Sequence, residues 1–256
     1  MSESNQKVSL IIPTRDKAEL LSRCINSIQE KSTYPDYEIL VVDNGTREPK
    51  ALRLLEGLEW AVNTRVLRHP GPFNFSAMIN MAASEAHGSI LCLLNNDTEV
   101  ISPDWMETIA GHLMQEGVGV VGALLLFPDG SIQHAGDVAG GRACVSHLRE
   151  LPDGGLGEEM SSDGACDVPA VTGACLMTRR DLFLEMGGLD ERACPVAFND
   201  TDYCLRVRKA GWRVVCAPLA RLFHNELATR GPTWKPLDLL RLHREKREFR
   251  KRWLDK

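Results

Sequence analysis

The strongest constraint on the fold is a repeated switch of hydrophobic period through the first half of the chain. Val8-Ser9-Leu10-Ile11-Ile12 is a short apolar run ending in Pro13-Thr14-Arg15, after which residues 17–30 place Leu20, Leu21, Cys24, Ile25 and Ile28 on one helical face. A second strand is expected over 37–42, ended by the turn Asp43-Asn44-Gly45, then a helix over 50–58 and a third strand over 61–67. A helix over 74–86 and a buried strand over 89–94 complete the alternation. Short strands alternating with helices imply an α/β chain with a mostly parallel central sheet covered on both faces. Ligands of such sheets bind at the carboxyl ends of the strands, near the point where strand order reverses. Those ends carry Pro13-Thr14-Arg15, Asp43-Asn44-Gly45, Arg68-His69 and Asn95-Asn96-Asp97.

The second half is less regular. Ser102-Pro103-Asp104 reads as a helix N-cap with proline at the first helical position, the helix running to about 116, followed by a strand over 118–126 and a turn over 127–131 closing a hairpin. Residues 149–164 are rich in Gly, Asp, Glu and Ser and are expected to form a loop. An apolar segment over 168–177, a helix from Arg180, the turn Gly187-Gly188-Leu189-Asp190, a helix over 201–209 and a last strand over 212–216 follow. A terminal helix is expected over 236–253.

Charge is uneven. Of the net −5, residues 230–256 contribute +6, from ten Lys/Arg against four Asp/Glu, which leaves −11 on the rest. An acidic body argues against nucleic-acid binding. The basic tail is either a helix packed on the body or a peripheral contact with an anionic membrane. No apolar run is long enough to span a membrane, and the polar start lacks a basic leader and cleavage site, so the expected location is cytoplasmic. The eight cysteines are scattered without a CxxC pair, which reads as reduced thiols rather than zinc ligands.

Three features are candidates for chemistry. Asp97 follows a buried strand, where an oxygen-seeking cation could be held; the plainer alternative is a turn or cap. Asp200 and Asp202 open a helix, and residues two apart do not face one another, so one could enter a site while the other pairs with a neighbour such as Arg206. His224 ends an apolar run and taken alone reads as structural.

Across nearly the whole chain these residues fall into an ordered set of motifs. They include Phe73-Asn74-Phe75-Ser76 with Asn80; Leu94-Asn95-Asn96-Asp97-Thr98-Glu99; Ile132-Gln133-His134-Ala135-Gly136; Val171-Thr172-Gly173-Ala174-Cys175; Gly187-Gly188-Leu189-Asp190-Glu191; Phe198-Asn199-Asp200-Thr201-Asp202; and His224-Asn225-Glu226. The set resembles family 2 glycosyltransferases of the GT-A fold, in particular the bacterial branch that builds O-antigen and rhamnan-type surface polysaccharides.

The resemblance implies one GT-A domain over 1–230, with a nucleotide half (1–100) and an acceptor half (101–230), followed by a basic helix over 231–256. It implies that Asp43 reads the nucleobase and that Pro13, Thr14, Arg15, Asn44, Asn80, Asn95 and Asn96 surround the donor nucleotide. Asp97 and His224 would hold a divalent cation (Mn²⁺ or Mg²⁺), Asp200 would be the catalytic base, and Gly173, Asn199 and Asp202 would support the acceptor side. Asn95 stands where many relatives carry Asp, and Asn199 where many carry Glu. The implied reaction is inverting transfer from a nucleoside-diphosphate sugar (UDP, dTDP or GDP) to a glycan or lipid-linked hydroxyl, with rhamnose from a dTDP donor the leading expectation. Two competitors are a nucleotidyltransferase, which would need a Gly-rich basic loop that Pro13-Thr14-Arg15-Asp16 does not supply, and a non-catalytic binding module with a degenerate site.

Overall fold

Residues 6–140, 144–148, 164–225 and 236–255 are described by a computed structural model. The alternation read from hydrophobic period is present as β1 (Val8–Thr14), α1 (Ala18–Lys31), β2 (Tyr37–Asp43), α2 (Pro49–Leu58), β3 (Thr64–Arg68), α3 (Phe75–Glu85) and β4 (Ile90–Leu94). Asn74 caps α3 by accepting the N–H of Ala77, and Pro49 opens α2, where a missing donor costs nothing. The third strand starts later than the apolar pattern predicts, because Asn63 turns through a left-handed conformation (φ 58°) just before it.

The chain continues through β5 (Thr98–Val100), α4 (Trp105–Leu113), β6 (Val118–Leu126), β7 (Ile132–His134), β8 (Asp137–Gly140), β9 (Cys144–His147), β10 (Cys166–Asp167), β11 (Cys175–Arg179), α5 (Arg180–Glu185), α6 (Asn199–Lys209), β12 (Arg213–His224) and α7 (Pro236–Trp253). Two expectations are corrected here. Ser102 is not an N-cap: its hydroxyl donates to the Leu219 carbonyl, and α4 begins at Trp105 without a side-chain cap. The last strand does not stop at Cys216 but continues to His224, its pairing with β6 shifting register between Ala217 and Arg221. Pro218 cannot donate to a ladder, so it is absorbed at that irregularity. The expected loop over 149–163 lies outside the described residues.

Parallel pairing runs β3-β2-β1-β4, so strand order reverses between β1 and β4. β11 then lies antiparallel to both β4 and β6, and β6 is parallel to β12. Apolar side chains cover both faces, as strands buried on both sides require. Leu10, Ile12 and Val41 pack on one face with Leu21, Ile28, Trp105 and Ile109, while Ile11, Leu40 and Val42 pack on the other with Met78, Ile79, Phe183 and Tyr203. Seven cysteines, all buried, are unpaired among the described residues. Among the same residues no helix is long and apolar enough to cross a membrane.

The basic helix α7 packs on this body. Phe249 is 1% exposed and stacks on Phe198 at 5.1 Å between ring centroids. Arg252 and the Trp253 indole N–H both donate to Oδ1 of Asp202 at 2.8 Å. Both aromatic residues, Phe249 and Trp253, are thus turned towards the protein.

Candidate active site

At the carboxyl ends of β1 and β4 the strand reversal opens a cavity of about 490 Å³, within the range typical of small-ligand sites. Of the residues expected in a site, Pro13, Thr14, Arg15, Asn95, Asn96, Asp97, Gly173, Asn199 and Asp200 line it. The Asn96 amide donates to the Thr14 hydroxyl at 3.0 Å, tying the two strand ends together across the reversal. Beyond Arg15 the backbone passes through two successive left-handed residues, Asp16 (φ 55°) and Lys17 (φ 56°), both on the cavity wall. The turn is held open against its own strain by neighbours: Asp16 Oδ1 accepts the N–H groups of Arg47 and Glu48, and the Lys17 N–H donates to Glu48. Those two backbone hydrogen bonds also hold the Asp16 carboxyl below its usual range.

The acidic motif after β4 is joined to the end of β12 by sheet pairing. β5 runs antiparallel to β12 with Thr98 opposite His224, and the Asn225 N–H donates to the Asp97 carbonyl at 2.9 Å. His224 Nε2 lies 3.3 Å from Asp97 Oδ1 and 3.3 Å from the Asn95 amide nitrogen. Its Nδ1 is 2.7 Å from Gln133 Oε1, while the Gln133 amide N–H donates back to the His224 carbonyl. A carbonyl oxygen can only accept, so in the neutral ring the proton sits on Nδ1 and the Nε2 lone pair faces the Asp97 carboxylate. Two acceptors directed at the same space fit a divalent cation, and a histidine oriented through its other nitrogen is the usual outer-shell arrangement of a metal ligand. Asp97 and His224 therefore have the donor set that a Mn²⁺ or Mg²⁺ ion would use.

Asp200 sits in the first turn of α6, half-buried on the cavity wall, where the helix start favours negative charge. Its Oδ2 accepts the Gly173 N–H at 2.8 Å, and its Oδ1 the Thr201 N–H at 2.8 Å. Phe198, immediately before α6, is left-handed (φ 62°), and this turn aims the helix start at the cavity. The neighbouring Asn199 is 3% exposed, and its amide nitrogen has no hydrogen-bond partner among the described residues, so it is a buried donor on the wall.

Five expected residues lie off the cavity wall. His224 stands behind Asp97 as described. Asp43, expected to read the nucleobase, is 4% exposed and already accepts the Thr46 N–H and a guanidinium N–H of Arg68. Asn44 donates its amide to the carbonyls of His69 and Gly71. Asn80, expected near the nucleotide, holds the Gly188-Leu189 turn: it accepts the Leu189 N–H and donates to the Leu189 carbonyl and to Glu191. Gly188 has φ +67°, and a Cβ there would stand 2.4 Å from the Asn80 oxygen, so side chain and turn are fitted to one another. Asp202 is fully buried and spent on Arg206 at 2.9 Å and on the end of α7.

The sequence reading missed the contribution of α7 to the wall, where Asp238 and Arg241 appear, and the aromatic rings of Phe73 and Phe75. It also missed a cluster of His134, Asp137 and His147 whose ligand-type atoms lie within 4.8 Å of one another. Spacings of three and ten residues carry no metal signature, and only the pairing of β8 with β9 places Asp137 opposite His147.

Comparison with known proteins gives this geometry its context. The chain is 41% identical over 253 residues to an uncharacterized protein, y4gI, of Sinorhizobium fredii, covering 98% of this chain and 28% of that protein. It is 38% identical over 228 residues to the O-antigen biosynthesis protein RfbC of Myxococcus xanthus, covering 88% and 18%. A shorter match, 38% over 61 residues (24% of this chain, 20% of the other), is to an N-acetylglucosaminyl-diphospho-decaprenol L-rhamnosyltransferase of Mycobacterium tuberculosis. The chain thus spans under a third of the length of each of these relatives. Among solved structures, GalNAc-T7 with UDP, GalNAc and Mn²⁺ aligns with a TM-score of 0.73 at 17% identity, covering 87% of this chain and 44% of that one. The mannosyltransferase PcManGT from Pyrobaculum calidifontis, in complex with GDP-Man and Mn²⁺, aligns at 0.66 and 16%, covering 96% and 70%. These similarities identify the architecture as the GT-A fold. The family model for glycosyl transferase family 2 matches residues 9–187, from β1 to the turn after α5, and with relatives aligned along almost its whole length this chain belongs to glycosyltransferase family 2.

Proposed function

We propose that the chain transfers a sugar from a nucleoside diphosphate to a hydroxyl of a glycan or lipid-linked acceptor, with inversion, in the assembly of a bacterial surface polysaccharide. The observation that carries this reading is that Asp97, backed by His224, and Asp200 line one cavity. A divalent cation bound by Asp97 and His224 would supply positive charge against the diphosphate as it leaves. The residues of β1 and β4 would seat the nucleotide at the strand reversal. Asp200, with one oxygen held by Gly173 and the other by Thr201, would be kept in place to accept the proton of the acceptor hydroxyl as it attacks the anomeric carbon from the face opposite the diphosphate. A single carboxylate is sufficient, because a diphosphate leaves without protonation by the protein, unlike the leaving groups of two-carboxylate glycosidases. The unpaired Asn199 amide would donate to a substrate oxygen.

The match to an L-rhamnosyltransferase supports a rhamnosyl donor, and dTDP is the carrier expected from the family resemblance. A lipid-linked acceptor would bring the enzyme to a membrane surface, where α7 would present its outward basic face with Leu239 and Leu240, 45% and 66% exposed. The test is thermal stability with dTDP, UDP and GDP, each with and without Mn²⁺, on the native sequence and on Asp97→Ala. Ligand at a hundredfold excess over its dissociation constant stabilises by about 2.7 kcal/mol. A nucleotide-specific shift that is enlarged by Mn²⁺ and lost in Asp97→Ala is expected. No shift with any nucleotide would contradict the reading, and a shift with UDP or GDP alone would overturn the dTDP assignment.

A further inference from the structure

Gln133 and His134 are adjacent on β7 and both buried, at 2% and 1% exposure. Neighbouring residues of a strand point to opposite faces, and these two contact different segments beside the cavity. Gln133 orients His224. His134 reaches the turn before β11, where its Nε2 accepts the Thr172 N–H at 3.2 Å. The next N–H along the chain, that of Gly173, is the one that donates to Asp200 Oδ2. Two successive N–H groups of one turn are thus terminated by His134 and by Asp200.

His134 can accept at Nε2 as a neutral ring only with its proton on Nδ1. On that side lies Asp137, 1% exposed, with Oδ1 3.4 Å from His134 Nδ1 and 2.5 Å from His147 Nδ1. Burial opposes ionisation of Asp137, but the hydrogen bonds from His134 and His147 outweigh it and hold the carboxyl below its usual range. The Asp137 backbone is fixed as well, its N–H donating to Ala170 at 2.7 Å.

We propose that His134 is a positioning residue for Asp200: with its tautomer set by Asp137, it anchors the Thr172-Gly173 turn whose second N–H aims the carboxylate into the cavity. The proposal rests on the reading of Asp200 as the base. It also excludes a metal ion among His134, Asp137 and His147, because a cation on Nδ1 would move the ring proton to Nε2, facing the Thr172 N–H.

The test compares His134→Leu, His134→Gln and Asp200→Asn in the full chain, measuring kcat, donor KM, Tm and bound metal. Gln places a carbonyl oxygen near the position of Nε2 and can take the Thr172 N–H, whereas Leu leaves that donor unsatisfied. His134→Leu is expected to lose about tenfold or more in kcat, with donor KM within about twofold of the native value. His134→Gln recovers most of that loss, and ¹⁵N shifts of the native His134 ring report an unprotonated Nε2. Equal losses in the Leu and Gln variants, a loss confined to KM, or stoichiometric metal that disappears in His147→Ala would each overturn the proposal. If Asp200→Asn is inactive while His134→Leu turns over normally, this inference fails alone. If Asp200→Asn turns over normally, the reading of the base fails first.

Discussion

The two walls of the cavity are built on different principles. The wall proposed to seat the nucleotide is made of strand ends, with Pro13-Thr14-Arg15 closing β1 and Asn95-Asn96-Asp97 following β4, and adjacent parallel strands hold both. The wall that carries Asp200, the proposed base, has no such scaffold. Asp200 follows a left-handed turn at Phe198, and the segment around it is held mostly by residues far away in sequence. Gly173 and Thr201 hold the carboxylate, Phe249 stacks on Phe198, and Glu245 accepts the N–H groups of Val196 and Ala197. Arg252 and Trp253 bind Asp202, one turn into α6. A sheet edge is rigid by construction, whereas a carboxylate at the start of a helix that follows an irregular turn must be clamped. Damage to the clamps should therefore reduce turnover and stability while leaving nucleotide binding in place.

The largest expected effect on stability is at the centre of the clamp. Asp202→Ala leaves Arg206, Arg252 and the Trp253 indole without their shared buried acceptor and should cost about 3–5 kcal/mol, read as a fall in Tm; an unchanged Tm would show that α7 does not brace α6. Next is Gln133→Leu, which frees the His224 ring. Loss of an outer-shell partner should weaken Mn²⁺ binding about 10–100-fold, with activity recovered at saturating metal, and a Mn²⁺ titration of activity checks both parts. Trp253→Phe removes one hydrogen bond from the clamp and should cost about 1 kcal/mol, with nucleotide affinity unchanged. The smallest effect is pH-dependent. Asp137 has its folded pKa lowered from 3.8, so its contribution to stability is present above that value and is lost as pH falls through the lower folded value. The stability difference between the native chain and Asp137→Asn should shrink as the solution is acidified below about pH 4, which denaturant titrations across that range would detect.

The same division explains what could be read in the sequence. The parallel half was legible because each strand and helix carries its own period, and its site residues follow directly from strand ends. The far half depends on long-range contacts. The last strand is expected to stop at Cys216, yet β12 runs on through Pro218 with a register shift and delivers His224 to Asp97. Nothing local in Asp238 or Arg241 marks them as cavity residues; only the packing of α7 brings them there. Asp43 and Asn80, which motif position places near the nucleotide, have polar atoms engaged by Arg68 and by the Gly188-Leu189 turn. A motif specifies a residue's neighbourhood, whereas the partners that consume its hydrogen bonds appear only in three dimensions.

If the two walls are separable in function, Asp200→Asn separates binding from turnover. Its affinity for nucleotide with Mn²⁺ should match the native chain within about twofold, while its transfer rate falls about 10²–10⁴-fold, the range of a lost general base. A native transfer rate in that variant, or a loss of nucleotide affinity in parallel with the rate, would contradict it.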